Sequence, residues 1–457
     1  MLTEAVREYL QANRRRHLQE LFELLRFASI SSQDEHEADC LACAKWVAER
    51  LRRMGFSAEL RPWRKHPVVL AHHRQAGPAA RTVLLYGHYD VQPPDPLEQW
   101  HSPPFEPVVR DGAIYARGAS DDKGQFFAHI KALEALLETE GQLPLNVVFL
   151  LEGEEEVGSP ELEQFLRANT EDLKADFSII SDSDFFAPGL PTITYALRGV
   201  VHVELTVHGP RVDLHSGVYG GAVVNPLNAL AKMIAAMHDE LGKVALPGFY
   251  DDVRPISEAE RRAWAQLPFD EERYARNLGT EPLGGERCYT VLERLWARPT
   301  LDCHGIVGGY QGPGSKTVIP AAATAKISMR LVPDMRPERV VEAFERFVAE
   351  HTPAGLTAQV EVKAKAAPVL VRPDSPAIAA AKAALAEAFS APVALARNGA
   401  SVPITELIQR VLDIEPIMMG FGLPDDHLHS PNERFRLEQF YGAIVASAAV
   451  LKNLAGL

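Results

Sequence analysis

Residues 83–91 read VLLYGHYDV. Four apolar or aromatic residues run into Gly87, and the triplet His88-Tyr89-Asp90 follows at once. The apolar run predicts a buried strand, and the polar triplet predicts that its end carries ligands. Residues two apart in an extended backbone share a face, so His88 and Asp90 are expected side by side. A metal-ligating histidine usually donates its second ring N–H to a carboxylate, which fixes its tautomer. Alone, the triplet reads more simply as a loop histidine and a turn-forming aspartate ahead of Pro93. The rest of the chain has to decide.

Downstream the pattern recurs. Residues 112–118 predict a short strand leading into Ser120-Asp121-Asp122-Lys123-Gly124, then a helix with Phe126, Phe127, Ile130, Leu133 and Leu137 on one face. Aspartates at a helix N-terminus suit the macrodipole. Capping accounts for one of them and does not need two. Residues 145–151 predict another strand, running into Glu152-Gly153-Glu154-Glu155-Glu156. Three adjacent glutamates at a buried strand end repel one another unless a cation is present. Ser159-Pro160 is expected to open a helix, as N-cap and first-turn proline. Residues 177–181 form a third such strand, ending at Asp182. Positions 88, 121, 156 and 182 therefore recur at about the ~30-residue length of a strand–helix–strand unit. That rhythm predicts an open, mostly parallel α/β sheet with helices on both faces, its ligands outside the carboxyl ends of the strands.

Upstream, residues 3–27 predict one amphipathic helix and residues 40–54 a second. Cys40 and Cys43 fall on the latter as two half-buried thiols, with no second Cys-x-x-Cys to complete a zinc knuckle. From about Leu197 the character changes. Strands that alternate (201–207, 321–331) and helices (226–241, 338–350) predict a smaller α+β layer. Residues 242–299, rich in charge and proline, predict short helices and loops. The expected division is a catalytic domain in two parts, 1–197 and 368–457, with a smaller domain inserted at 198–367. Its second part predicts a helix at 376–389, strands at 393–396 and 414–421, and a loop at 422–431 holding His427-Leu428-His429-Ser430. Asn432 is expected to cap a closing helix that runs to about Leu454.

Composition narrows the function classes. With 46% hydrophobic and 24% charged residues the chain is of ordinary globular make-up. A formal net charge of −14 argues against nucleic-acid or anionic-membrane partners, both of which attract basic surfaces. Arg14-Arg15-Arg16 is read as a solvated helix face. No apolar run approaches the ~20 residues of a membrane span, and residues 1–16 lack a signal-peptide apolar core. Four cysteines make no disulfide framework. A cytoplasmic location is expected.

Two histidines and several carboxylates are thus expected at one sheet edge. Suppose two divalent cations share Asp121, with His88 and Asp182 on one and Glu156 and His429 on the other. Three carboxylates then leave one net positive charge, which a bridging hydroxide neutralises. Paired metals ~3.5–4 Å apart generate hydroxide near neutral pH and polarise a scissile carbonyl. Glu155, beside a ligand but not counted as one, is free to shuttle the proton.

The segments GHYDV, GASDDKG, EGEEEVGS, SDSD, DLHSGVYGG, KTVIP, MRLVP and HSPNE stand in this order over roughly residues 80–435. Together they resemble the co-catalytic metallopeptidase family of carnosinase and cytosolic nonspecific dipeptidase. That family is related to aminoacylase, acetylornithine deacetylase and succinyl-diaminopimelate desuccinylase. The resemblance implies two divalent metals, zinc first and manganese or cobalt as substitutes. His88, Asp121, Glu156, Asp182 and His429 would be the ligands, with Asp121 bridging across a cis peptide to Asp122. Asp90 would orient His88, and Glu155 would be the general base. It further implies that 198–367 is a lid that forms a homodimer. His215 would reach the partner's site to steady the oxyanion, while Thr317, Arg330 and Ser401 would grip the carboxylate of a small peptide. Residues 397–401, Arg-Asn-Gly-Ala-Ser, depart from the expected Arg-Glu-Gly-Gly-Ser, and His427 stands one turn from His429. Dipeptide hydrolysis is the reading. A deacylase or desuccinylase acting on N-acyl amino acids is the alternative, and a catalytically silent scaffold is a third that the intact Glu155 opposes.

Overall fold

The apolar run around Leu84 forms the strand Thr82–His88, with every residue buried. It pairs in parallel on both sides, with Asn146–Glu152 and with Phe177–Ile180. A strand buried on both faces needs near-continuous hydrophobicity, which this one has. All 457 residues are described in the computed structural model, which divides into two compact units. The first comprises Met1–Tyr195, Val371–Ala396 and Pro403–Leu457.

Its sheet runs in the order Ser57–Arg61, Val68–His73, Asn146–Glu152, Thr82–His88, Phe177–Ile180, Pro416–Met418, Thr192–Leu197. The four central strands are parallel, and antiparallel strands flank them. Behind the centre lies the helix Lys123–Glu140, buried from Lys123 through Leu136. An apolar face alone was expected there. Burial all round instead follows from its packing against the helices Leu437–Ala455, Glu4–Ala12 and Arg14–Leu25 as well as the strand Thr82–His88. At Gly87 a Cβ would stand 2.6 Å from Phe126 Cβ, so only glycine lets this helix approach the strand.

Several local expectations are corrected. Residues 3–27 form two helices, Glu4–Ala12 and Arg14–Leu25, because Asn13 breaks helical geometry and turns its side chain back to the Tyr9 carbonyl. Cys40 and Cys43 are fully buried in the helix Glu37–Arg53, not half-buried. Ser159 is no N-cap. Its hydroxyl donates to Glu152 Oε1 at 2.9 Å, and the helix starts later, at Leu162. Nor does Asn432 cap the last helix. It accepts from His101 N, and the strand Arg434–Arg436 intervenes before Leu437–Ala455.

The second unit comprises Ala196–Leu370 and Arg397–Val402. Four antiparallel strands lie in the order Thr300–Gly308, Ala322–Leu331, Gly199–His208, Thr357–Ala366. Along Gly199–His208 and Ala322–Leu331 alternate residues are buried, as a sheet with one wet face requires. The dry face holds Val201, Val203, Leu205, Ala325, Ile327 and Met329. Against it pack Leu230 and Met233 of the helix Pro226–Ala236, with Phe344 and Phe347 of the helix Pro337–His351. Three short helices, Glu258–Trp264, Glu271–Leu278 and Val291–Ala297, occupy the stretch expected as short helices and loops. Residues 397–402 lie in this unit although the chain there was expected in the other. Arg198 draws them in, donating its Nε to Gly399 O at 2.9 Å while its carbonyl accepts from Ser401 Oγ.

Candidate metal centre

Parallel strands place their carboxyl ends together, and polar residues stand at or just beyond three of the four here. His88 closes its strand fully buried. Next to it the turn 116–122 delivers Asp121, with a cis peptide between Asp121 and Asp122. The loop after Asn146–Glu152 delivers Glu155 and Glu156, Asp182 follows Phe177–Ile180, and the loop before Arg434–Arg436 delivers His429.

Asp121 sits between two donor sets. Its Oδ1 lies 3.0 Å from His88 Nε2, which in turn lies 3.9 Å from Asp182 Oδ2. Its Oδ2 lies 2.8 Å from His429 Nε2, which is 3.3 Å from Glu156 Oε2. Within each trio, His88–Asp121–Asp182 and Asp121–Glu156–His429, the ligand atoms lie within 4.8 Å of one another. His427 belongs to neither.

The electrostatics show what this cluster calls for. Burial, reinforced by the Asp121 charge, pushes Asp182 up to about 7. Burial also pushes Glu155 up to about 9, with Asp182, Glu156 and Asp121 adding to it and His88 opposing. His429 is raised to about 10 by its hydrogen bonds to Asp121 and Glu156. Burial works against protonation of His88, yet the Asp121 and Asp90 carboxylates outweigh it. So many carboxylates cannot all ionise in one pocket without positive charge. Meanwhile His88 Nε2 is buried and meets no partner in hydrogen-bond geometry. Orphaned imidazole nitrogen, crowded carboxylates and two compact trios all fit divalent cations.

Asp90 holds the site together from below. Its Oδ1 lies 3.4 Å from His88 Nδ1 and accepts Glu155 N–H; its Oδ2 accepts Glu156 N–H at 3.0 Å and the Ser31 hydroxyl at 2.6 Å. His88 Nδ1 meets the Asp90 backbone carbonyl at 3.2 Å, and the Asp90 carboxylate clamps the Glu155–Glu156 turn. Gln92 adds a hydrogen bond from Nε2 to Glu156 Oε2 at 2.9 Å.

Among the other sequence-predicted residues, Arg330 Nη1 donates to Ser401 Oγ at 3.0 Å. His215 is exposed and pairs across a two-residue ladder with Val318, next to Thr317, whose carbonyl accepts from Ser216 N. Sequence reasoning assigned no role to Ser31, Gln92, Arg117 or Glu433. Only Glu433 carried a signal, as the last residue of HSPNE.

Imidazoles and carboxylates converging where parallel strands end are the make-up of a metal-dependent hydrolase. Residues 84–453 match Peptidase family M20/M25/M40, and the chain belongs to that family. It is 32% identical over 400 residues to the human Beta-Ala-His dipeptidase, covering 86% of this chain and 78% of that one. To the Cys-Gly metallodipeptidase DUG1 of Saccharomyces cerevisiae it is 29% identical over 453 residues, 94% of each. Among solved structures, the M20 family metallo-carboxypeptidase Sso-CP2 of Sulfolobus solfataricus superposes with a TM-score of 0.85 at 33% identity, covering 96% of this chain and 99% of that one. Like its relatives, the protein is a metallopeptidase. No helix is long and apolar enough to cross a membrane.

Proposed function

We propose that this protein is an exopeptidase that hydrolyses dipeptides at a two-cation centre. The observation that carries the reading is the placement of Asp121, one oxygen toward His88 and Asp182 and the other toward His429 and Glu156. When bound, the cations supply Lewis acidity toward the scissile carbonyl and lower the pKa of water. Zinc is the proposed pair, with manganese or cobalt as substitutes, because imidazole–carboxylate donors do not select sharply among them.

The chain's own residues do the rest. His88 and Asp182 would hold one cation and Glu156 and His429 the other, with Asp121 serving both. Glu155, not needed as a ligand, takes a proton from the attacking water and passes it to the leaving amine. Burial raises its pKa, which makes the carboxylate a stronger base toward that water. Arg330, Ser401 and Thr317 bind the substrate carboxylate, for which a guanidinium is the matching planar fork. The contact between Arg330 and Ser401 supports their acting together. The inserted unit acts as a lid and pairs two copies, so that His215 serves the partner's site as an oxyanion donor. Val218, Tyr219, Val224, Ile306, Val307 and Tyr310, all exposed on that unit, supply apolar surface for such pairing. Four unpaired cysteines support a reducing, cytoplasmic setting.

Metal-replete protein assayed on a dipeptide panel and an N-acyl amino acid panel tests this. Dipeptides should turn over faster. Turnover of the N-acyl panel alone would replace the reading with deacylation, and metal-stripped protein should be inactive on both.

A further inference from the structure

Three loops meet behind Asp121, and a single buried carboxylate ties them. Glu433, fully buried, accepts the backbone N–H of Ser120 at 2.9 Å and of Asp121 at 3.1 Å through Oε1. Through Oε2 it accepts the N–H of Gly118 at 2.9 Å and the guanidinium of Arg117 at 2.7 Å. Arg117, also buried, extends its other nitrogen to Pro93 O and Ser430 O. The Glu433 carbonyl accepts from Ala116 N.

We propose that Glu433, with Arg117, is a positioning residue for the cation pair, locking the Asp121 turn to the loop that carries His429. This rests on the two-cation reading above. A tight turn exposes N–H groups that need acceptors when buried, and one carboxylate satisfies three of them with charge-assisted bonds. That carboxylate stands four residues after His429 in sequence. Any movement of the His429 loop therefore pulls on the backbone of Asp121, and the reverse. A buried ion pair is an expensive way to achieve stability alone, because well-packed apolar residues often serve as well. It is a good way to fix the relative position of two ligands that are 308 residues apart in the chain. His429, with a side chain 54% exposed, has little packing of its own to hold it. His88, on a buried strand, does not depend on such a device. The loss should fall mainly on the cation shared by Asp121, Glu156 and His429.

The test is a Co²⁺ titration of metal-stripped full-length protein, read by calorimetry and by the visible absorption of the bound ion. Glu433→Gln keeps the volume but turns one acceptor oxygen into a donor, so one pair of N–H groups loses its partner in either orientation. Wild type should bind two ions. The variant should bind one as wild type does and the other about 10–100-fold more weakly, the usual range for outer-shell partners of a metal ligand. Its one-ion spectrum should match that of His429→Ala. Arg117→Lys keeps the charge but gives up the planar fork to Ser430, and should show the same one-sided loss at smaller size. If Glu433→Gln yields no folded protein, Arg117→Lys decides alone. Two ions bound with wild-type affinities, or equal weakening of both, would overturn the assignment. Wild type binding fewer than two ions would instead overturn the two-cation reading, and this inference with it.

Discussion

The two halves of the candidate metal centre are built differently. On one side His88 ends a strand hydrogen-bonded on both edges, and it is fully buried. On the other, His429 stands in a loop with a left-handed backbone and half its side chain in solvent. The first half inherits its geometry from the sheet. The second borrows it from polar clamps, Asp90 and Gln92 on the Glu155–Glu156 turn and Glu433 on the Asp121 turn. Rigid elements hold ligands by packing, whereas loops hold them by hydrogen bonds that must each be satisfied.

The largest expected effect removes the residue common to both halves. Asp121→Asn exchanges one oxygen for an amide, leaving one donor set without its bridge whichever way the amide turns. Metal analysis after dialysis should find fewer than two ions, and dipeptide hydrolysis should be lost. Full metal content with normal turnover would break the comparison outright, since no bridge would then be needed.

Next in size is Glu155→Gln, at a residue that belongs to neither donor set. Two ions should remain while kcat falls by about 10²–10⁴-fold, the range for a general acid–base group. A variant that loses metal as well would make Glu155 a ligand rather than a proton carrier.

A paired substitution then sharpens the contrast itself. His88→Ala opens a hole in the buried strand end and leaves Asp90 without its imidazole neighbour, so the metal-free protein should melt several degrees lower. His429→Ala, in exposed loop, should lower that melting temperature less while abolishing one cation. Calorimetry of the stripped variants checks both. Equal destabilisation would mean that the two halves are held alike.

The candidate donors and Asp90 were legible in the sequence, and the other clamps were not, for a physical reason. His88 and Asp182 close largely apolar runs, and Glu156 stands in an acidic stretch at the end of another, where such residues have no ordinary business. Ser31, Gln92 and Glu433 bind mostly backbone groups or carboxylates on other loops, and such contacts leave no periodicity. Local rules misread Ser159 and Asn432 as helix caps because distant partners, Glu152 and His101 N, had taken those side chains. Asn13, by a local bond back to the Tyr9 carbonyl, split a helix that hydrophobic spacing alone would have kept whole. The sheet, by contrast, was readable because every central strand is a continuous buried run.

The smallest expected effect probes whether the strand-borne half has a clamp of its own. Ser31→Ala removes the hydroxyl that donates to Asp90 Oδ2 at 2.6 Å. Hydrogen bonds to charged groups are worth about 1.5–3 kcal/mol. The Glu155 and Glu156 amides still serve Asp90, so the loss should fall at or below the low end of that range. About tenfold weaker binding of the His88-side cation corresponds to ~1.4 kcal/mol, and a cobalt titration resolves that. Binding of the His429-side cation should weaken too, though less, because Asp90 also anchors Glu156. If neither affinity moves, the sheet and the two amides hold Asp90 without help, and the buried half needs no clamp beyond its own backbone.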